Sequence, residues 1–499
     1  MKTKHLKTGL TLLFSMALAS QSVMAQRPII QTKFTADPAP LVYKDVVYLY
    51  TGHDEDYAPE GMAGFRMKDW LLYTSTDMVN WTDHGPIADL HNFKWADPGN
   101  GSWGGYENGA WAPQCVERNG KFYFYCPVQG RGIGVLVADS PFGPFKDPLG
   151  KPLIGSNYDS IDPTVLIDDD GQAYLYWGNP NLWYVKLNED MISYSGEITK
   201  DPLIRKEKGK KDPFHYQEGP WVFKKNGHYY NAYASTCCPE GIGYAMADSP
   251  IGPWEFKGYI MKPNGRSSGN HPGIIDYKGK SYVFGFNYEL NFAITDIHHE
   301  RRSICVAEME FNPDGTIKEL PWWKEGKAVT PVGNLNPFQR TEAETMAWSE
   351  GVKTGQDEEN GIYITSIHNG DYIEIDAVDF KKGAKRFQAN VASFVKGEIE
   401  IRLDSPTGTL LGTCPIKPTG GTDSWKTFEC DLEKTGGIHN LFLVFKGGDG
   451  ELFNFNWWKF KSNLTSRKSK YGAFFFRLVK LDMKPTTNNL CQSNNQLFK

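Results

Sequence analysis

The chain has 499 residues, of which 40% are hydrophobic and 14% aromatic, with 51 glycines, 30 prolines and a formal net charge of −5. That charge argues against a nucleic-acid partner. Long helical periodicity is nearly absent amid so many turn-forming residues, so the chain reads as all-β, with length for two or three domains.

Residues 1–25 read as an export signal. Lys2, Lys4 and Lys7 precede the apolar run TGLTLLFSMALAS, and Val23-Met24-Ala25 fits a small-residue cleavage site. The run is too short for a spanning helix, no cysteine follows it to carry a lipid anchor, and no later stretch is apolar enough to span. The expectation is an exported protein, secreted or periplasmic, with no membrane span.

Residues 26–335 carry five segments that resemble one another. They are DPAPLVYKDVVYLYTG from Asp37, APQCVERNGKFYFYCP from Ala112, DPTVLIDDDGQAYLYWG from Asp162, EGPWVFKKNGHYYNAYAS from Glu218 and HPGIIDYKGKSYVFGF from His271. Each runs from a proline through an apolar stretch and a polar turn to a Tyr-rich strand. Asn119-Gly120, Asp170-Gly171, Asn226-Gly227 and Lys278-Gly279 supply hairpin turns. One hairpin per unit at a period near fifty is the signature of a propeller blade, so a five-bladed β-propeller is expected here. Equivalent positions in a propeller face one axis, which brings Asp37, Asp162 and Glu218 together. VADSPFGPF (137–145) and MADSPIGPW (246–254) are near copies, and STDMVNW (75–81) is a diverged one; all three read as outer hairpins. Loops from Glu55 to about Lys68 and from Asp89 to Tyr106 read as insertions that build a substrate rim. Flat rings of Trp and Tyr fit sugar faces, although most of these aromatics read as core; Trp103 and Trp111 are the stacking candidates near the funnel.

The eight cysteines do not form a small-domain disulfide framework. Cys115 with Cys126, and Cys414 with Cys430, flank hairpins they could bridge. Cys237-Cys238 could form a vicinal disulfide, and Cys305 reads as a buried thiol. No C-x-x-C spacing points to zinc.

The pattern breaks near Pro331. Residues 336–462 are short alternating strands, expected to form a β-sandwich of jelly-roll type. Residues 463–499 are an appendage without a clear repeat.

Asp37-Pro38-Ala39-Pro40, Trp111-Ala112-Pro113, Ser160-Ile161-Asp162-Pro163 and Glu218-Gly219-Pro220 occur in order and spacing that resemble glycoside hydrolase family 43, whose members are five-bladed propellers that invert at the anomeric carbon. The resemblance implies Asp37 as general base, Glu218 as general acid and Asp162 as the residue that tunes and orients the acid. A neighbouring Asp162 carboxylate would raise the pKa of Glu218, since two nearby negative charges resist ionising together. The resemblance also implies an arginine at the site, with Arg301 and Arg302 as candidates and Arg302 favoured, and a histidine near a central metal ion, usually calcium, which His271 matches. No cofactor is implied for the chemistry.

Arg340-Thr341-Glu342-Ala343-Glu344, Asn369-Gly370-Asp371-Tyr372 and Asn454-Phe455-Asn456-Trp457 resemble carbohydrate-binding module family 6. That resemblance implies Glu342 and Glu344 at a structural calcium, and Trp425 and Asn454 in a sugar cleft. Ser366 stands where a Tyr would be expected, and Tyr363 is a nearby aromatic. Together the two resemblances imply an exported glycosidase removing α-L-arabinofuranosyl groups from arabinoxylan, xylan or arabinan of plant cell walls. The alternatives are a β-xylosidase or endo-arabinanase, or a non-catalytic glycan-binding propeller.

Overall fold

Period-two alternation and turn residues every ten or so positions leave little for the chain to form but strands. A computed structural model describes residues 26–56, 64–96, 105–207, 209–210, 212–265 and 267–462. The expected signal 1–25, the appendage 463–499 and Trp103 lie outside the described residues. Strands dominate, and Glu289–Ile294 is the only α-helix among the described residues. No helix among them is long and apolar enough to cross a membrane.

Residues 34–309 form five antiparallel sheets in chain order. Their first strands are Phe34–Tyr43, Gln114–Arg118, Thr164–Ile167, Tyr216–Lys225 and Gly273–Tyr277. These five strands neighbour one another in sequence, and the fifth neighbours the first. The repeats thus meet at one place. The fifth sheet has three strands, and the N-terminal segment runs along its open edge, where Ile29 N–H donates to the Ile304 carbonyl at 2.8 Å and Thr35 N–H to that of Arg302 at 3.0 Å.

The Tyr-rich second strands explain much of the aromatic content. Tyr50 of the first sheet donates to the Pro141 carbonyl of the second at 2.8 Å. Tyr125 of the second reaches Met191 of the third at 2.7 Å. Tyr176 of the third reaches Pro250 of the fourth at 2.6 Å, and Tyr230 of the fourth reaches the Gly315 carbonyl at 2.7 Å. Each ring fills the space between neighbouring sheets, and each hydroxyl satisfies a carbonyl of an outer turn. The repeated SPxGP turns at 140–144 and 249–253 do lie between third and fourth strands, as STDMVNW does in the first sheet.

Residues 341–462 form a six-stranded and a five-stranded sheet that face each other across an apolar core, Thr341–Glu342 pairing with Asn454–Ser462 as the sixth strand of the first. One runs Lys353–Asp357, Gly361–Thr365, Asn454–Ser462, Ala384–Ser393, Gly421–Asp431; the other runs Trp348–Glu350, Tyr372–Asp379, Ile438–Gly447, Gly397–Leu403, Thr409–Ile416. This is a β-sandwich. Thr345–Met346 pairs with Trp81–Thr82 and so adds a fifth strand at the outer edge of the first propeller-region sheet.

Two of the disulfide options are not used. Cys115 and Cys126 are free and buried, because the register sets Cys115 opposite Phe124 rather than opposite Cys126; a bridge needs Cα atoms within about 7 Å. Cys414 and Cys430 are also free. Cys305 is a buried thiol, and Cys237–Cys238 is a disulfide.

Candidate active site

The residue before each repeat's proline lies at the axis. Asp37-Pro38, Ala112-Pro113, Asp162-Pro163, Gly219-Pro220 and His271-Pro272 together line a cavity of about 20 Å³, room for one water or one ion. Asp37 and Asp162 both have positive φ, 52° and 57°. A side-chain-bearing residue pays about 1–3 kcal/mol to hold that conformation, a cost that clusters at functional sites. The position equivalent to these two in the fourth repeat is Gly219, with φ 60°, and not Glu218. Glu218 stands one residue earlier, in a strand whose register shifts on either side of it. The carboxylates therefore converge without being strict equivalents. Gly219 has a second reason to lack a side chain, because a Cβ there would lie 2.6 Å from the His271 ring.

His271 is the hub. Its Nδ1 lies 3.3 Å from Asp37 Oδ1, and its Nε2 lies 3.4 Å from Glu218 Oε1 and 3.6 Å from Asp162 Oδ2. Asp37 and Glu218 thus flank one imidazole and are at most about 9 Å apart, compatible with the roughly 6.5–9.5 Å of an inverting acid–base pair. Asp162 accepts the Gly219 N–H at 3.1 Å, and Glu218 accepts from Asn179 Nδ2.

Arg302 is 3% exposed and holds the other side. Its Nη1 donates to Asp37 Oδ1 at 2.7 Å, and its Nε and Nη2 form a fork on Asp54 at 2.9 Å each. Phe65 and Phe286 cover the guanidinium, 4.6 and 5.3 Å from its carbon. Of the two candidate arginines, Arg302 is the one that touches the carboxylates.

The charges settle differently from the sequence-based expectation. Burial pushes the Asp162 carboxyl up to about 7, helped by the charges of Glu218 and Asp37 and opposed by His271. Burial also pushes Glu218 up, but the contact and charge of His271, with the Asn179 amide, outweigh it and hold Glu218 below its usual range. Burial disfavours the His271 imidazolium, yet the three carboxylates around it raise it to about 10. The reason is geometric: a cation sits between Glu218 and the carboxylate expected to raise it. In the free site Glu218 is thus the group held ionised, while Asp162 and His271 are the two shifted toward holding a proton.

Beside the cluster is a cavity of about 340 Å³, lined by Trp111, Gln129, Gly130, Gly132, Asp159, Ser160 and Asn179 among others. Trp111 therefore borders the opening. Asn179, shared between this cavity and Glu218, joins the opening to the carboxylates.

Sequence reasoning did not find Asn179, Asp54 or Glu240. Asn179 follows the Tyr-Trp-Gly that ends a second strand, and Asp54 nearly follows the matching Tyr-Thr-Gly, so the repeat itself carried a signal for both. Glu240 is buried and accepts the Asn270 N–H at 2.8 Å; nothing in its local sequence marked it.

In the sandwich, Trp425 and Tyr363 meet edge to face with ring centroids 5.3 Å apart. Asn454 accepts from Thr365 Oγ1 at 2.7 Å and donates to the Thr422 carbonyl at 2.9 Å. Tyr363 is thus the aromatic beside Trp425. Glu342 pairs with Arg340 at 2.7 Å. Glu344 is buried, its Oε2 has no hydrogen-bond partner, and burial with the charge of Glu342 raises its carboxyl well above the usual range. An orphaned buried carboxylate oxygen fits a hard cation. At the axis, Asp162, Glu218 and His271 offer ligand atoms within 4.8 Å of one another beside the ion-sized cavity, His271 as a ligand only in its neutral form.

The model of the glycosyl hydrolases family 43 matches residues 25–317, and that of the carbohydrate binding module (family 6) matches residues 342–462. An arabinoxylan arabinofuranohydrolase of Paenibacillus polymyxa is 36% identical over 489 residues, covering 87% of this chain and 74% of that protein. One of Bacillus subtilis is 35% identical, covering 87% of this chain and 92% of its own length. A crystal structure of a family 43 arabinoxylan arabinofuranohydrolase from Bacillus subtilis with cellotetraose aligns with a TM-score of 0.73 at 35% identity, over 87% of this chain and 97% of that one.

Proposed function

This chain belongs to glycosyl hydrolases family 43 and is a glycoside hydrolase, and we propose that it removes α-L-arabinofuranosyl groups from arabinoxylan-type hemicellulose with inversion. The observation that carries the reading is the meeting of Asp37, Asp162 and Glu218, from three sheets, around His271 and Arg302. The names of the relatives supply the substrate class.

In this reading the five sheets are the blades of a five-bladed propeller spanning 26–335, and residues 336–462 are a sugar-binding module. Asp37, oriented by Arg302, takes a proton from the attacking water. Glu218, in its protonated form, gives its proton to the leaving oxygen. Asp162 holds the Gly219 backbone beside Glu218 and shares the cluster's protons. Asn179 orients the acid, and Trp111 stacks on sugar at the opening. Trp425, Tyr363 and Asn454 form the module's cleft.

Calcium would be held at the axis facing His271, and in the module by Glu342 and Glu344. At the axis it would supply the positive charge that the imidazolium supplies otherwise. The protein acts outside the cytoplasm, secreted or periplasmic, which fits the leader-like first 25 residues and a surface disulfide.

The test is sugar release from wheat arabinoxylan by the full chain, beside Glu218→Ala. Free arabinose, lost in the variant, is the expected result. Xylose instead would replace the arabinofuranosidase by a β-xylosidase using the same residues. Binding without any released sugar would overturn the catalytic reading.

A further inference from the structure

One exposed group has no part in the proposed chemistry: the disulfide between adjacent Cys237 and Cys238. Cys115, Cys126, Cys305 and Cys414 are buried and Cys430 is half-buried, whereas Cys237 and Cys238 are both exposed. An exposed sulfur pair contributes little to a core, so its place in the fold is what needs explaining.

That place is set by the repeat. In the second sheet, the loop after the second strand gives Gln129 and Gly130 to the 340 Å³ opening; in the third sheet, the same loop gives Asn179. In the fourth sheet, the corresponding loop is Thr236–Pro239, following the strand His228–Ser235. The register puts Ala234 opposite Glu218 and Ser235 opposite Tyr216. Beyond Ser235 the chain turns, and the sulfurs of Cys237 and Cys238 lie within 4.8 Å of a Glu240 carboxylate oxygen. Glu240 in turn accepts the N–H of Asn270, the residue before His271, so one buried carboxylate separates the disulfide from the catalytic cluster.

The loop is held firmly. Thr236 N–H donates to the His215 carbonyl at 2.7 Å, and Thr236 Oγ1 to that of Pro239 at 2.9 Å. Glu240 N–H donates to the Ser267 carbonyl at 3.0 Å, and buried Glu240 accepts the Asn270 N–H at 2.8 Å. A contact fixed in advance costs little ordering on binding. Joined sulfurs have no S–H to donate, and they present a small, polarizable, apolar knob. Such a surface suits the C–H face of a sugar ring.

We infer that the Cys237–Cys238 disulfide is a specificity-determining contact for the main-chain sugar next to the group being cleaved. The inference rests on the arabinofuranosidase reading. The full chain and Cys237→Ser/Cys238→Ser are compared on wheat arabinoxylan and on methyl α-L-arabinofuranoside, which has no main chain. The expected result is a KM on arabinoxylan raised about three- to tenfold, an unchanged kcat, and unchanged kcat/KM on the methyl glycoside. Activity on the methyl glycoside also reports that the variant's site is folded. Should the double variant fail to fold, the parent reduced with a phosphine and then reoxidised should lose and regain the same KM. Identical kinetics on both substrates would overturn the inference and leave the functional reading standing. Equal losses on both would overturn it too, assigning the disulfide to the fold of the Glu218 sheet. A parent that releases no arabinose from either substrate would remove the functional reading and this inference with it.

Discussion

Arg302→Met tests whether one buried arginine organises the base. The change keeps the length and packing of the side chain and removes the charge. Arg302 is 3% exposed, and its partners Asp54 and Asp37 are 0% and 4% exposed. Removing it strands two carboxylates from water, and breaking a buried pair in this way costs about 3–5 kcal/mol. Burial already raises the Asp54 carboxyl despite the opposing charge of Arg302, so Asp54 is the group that should take up a proton in the variant. Asp54→Asn in the same chain removes that stranded charge. In urea unfolding followed by tryptophan fluorescence, the double variant should therefore lose less stability than the two single variants summed, by at least about 1 kcal/mol. Arabinose release should fall on the order of 100-fold in Arg302→Met, because the 2.7 Å bond that places Asp37 is gone. Additivity to within about 0.5 kcal/mol would refute the Arg302–Asp54 coupling, and an unchanged kcat would refute the assignment of Arg302 as the holder of Asp37.

Glu218→Ala should lower arabinose release by about 10²–10⁴-fold while arabinoxylan still binds, read by affinity electrophoresis. Gly219→Ala should cost at least about 1–2 kcal/mol from its positive φ alone, and more from the His271 ring 2.6 Å from the new methyl group; urea unfolding checks it. His271 is raised from 6.5 to about 10, so its stabilising contribution is complete below pH 6.5 and is lost as pH rises through about 10. Melting temperatures in chelator from pH 6 to 10 should fall more steeply for the parent than for His271→Gln. Trp425→Ala should weaken arabinoxylan binding roughly tenfold, about 1.4 kcal/mol, and leave turnover of methyl α-L-arabinofuranoside unchanged.

Much of the site could be read from the chain because a repeat turns sequence position into spatial position. Once five X-Pro segments are aligned, the residues before the prolines must meet, and Asp37, Asp162 and His271 do. The shift of Glu218 by one residue was less visible, since Glu-Gly-Pro and Asp-Pro look alike as strings; only the positive φ of Gly219 separates them. The proton distribution was not legible at all. It depends on a histidine lying between carboxylates at 3.3–3.6 Å, a placement that no single segment of the chain spells out. Asn179 and Asp54 lie beyond the apolar run that made the repeat recognisable. The aromatic content was ambiguous for a related reason: a Tyr that hydrogen-bonds the next sheet and a Tyr that faces sugar leave the same mark on composition.

The N-terminal strap shows why the sugar-binding sandwich is part of the catalytic body. Residues 26–33 run along the edge of the fifth sheet, so their first duty is to complete it. The same few residues also reach the sandwich. Arg27 pairs with Glu374 at 2.7 Å and lies 4.5 Å from the Trp348 ring centroid; Lys33 bonds both Asp83 at 2.5 Å and Thr354 at 2.6 Å. Partly exposed ion pairs are worth about 0–1 kcal/mol each, so no single one fixes the arrangement. The pairing of Thr345–Met346 with Trp81–Thr82 adds backbone hydrogen bonds, and Asn80 exchanges two more with Asp376 at 2.8 and 2.9 Å. These contacts cover the outer edge of the first sheet, where an open strand would invite pairing with another chain. Loosening the sandwich would uncover that edge, and loosening the strap would open the fifth sheet that presents Arg302. Binding and cleavage are thereby carried on one framework.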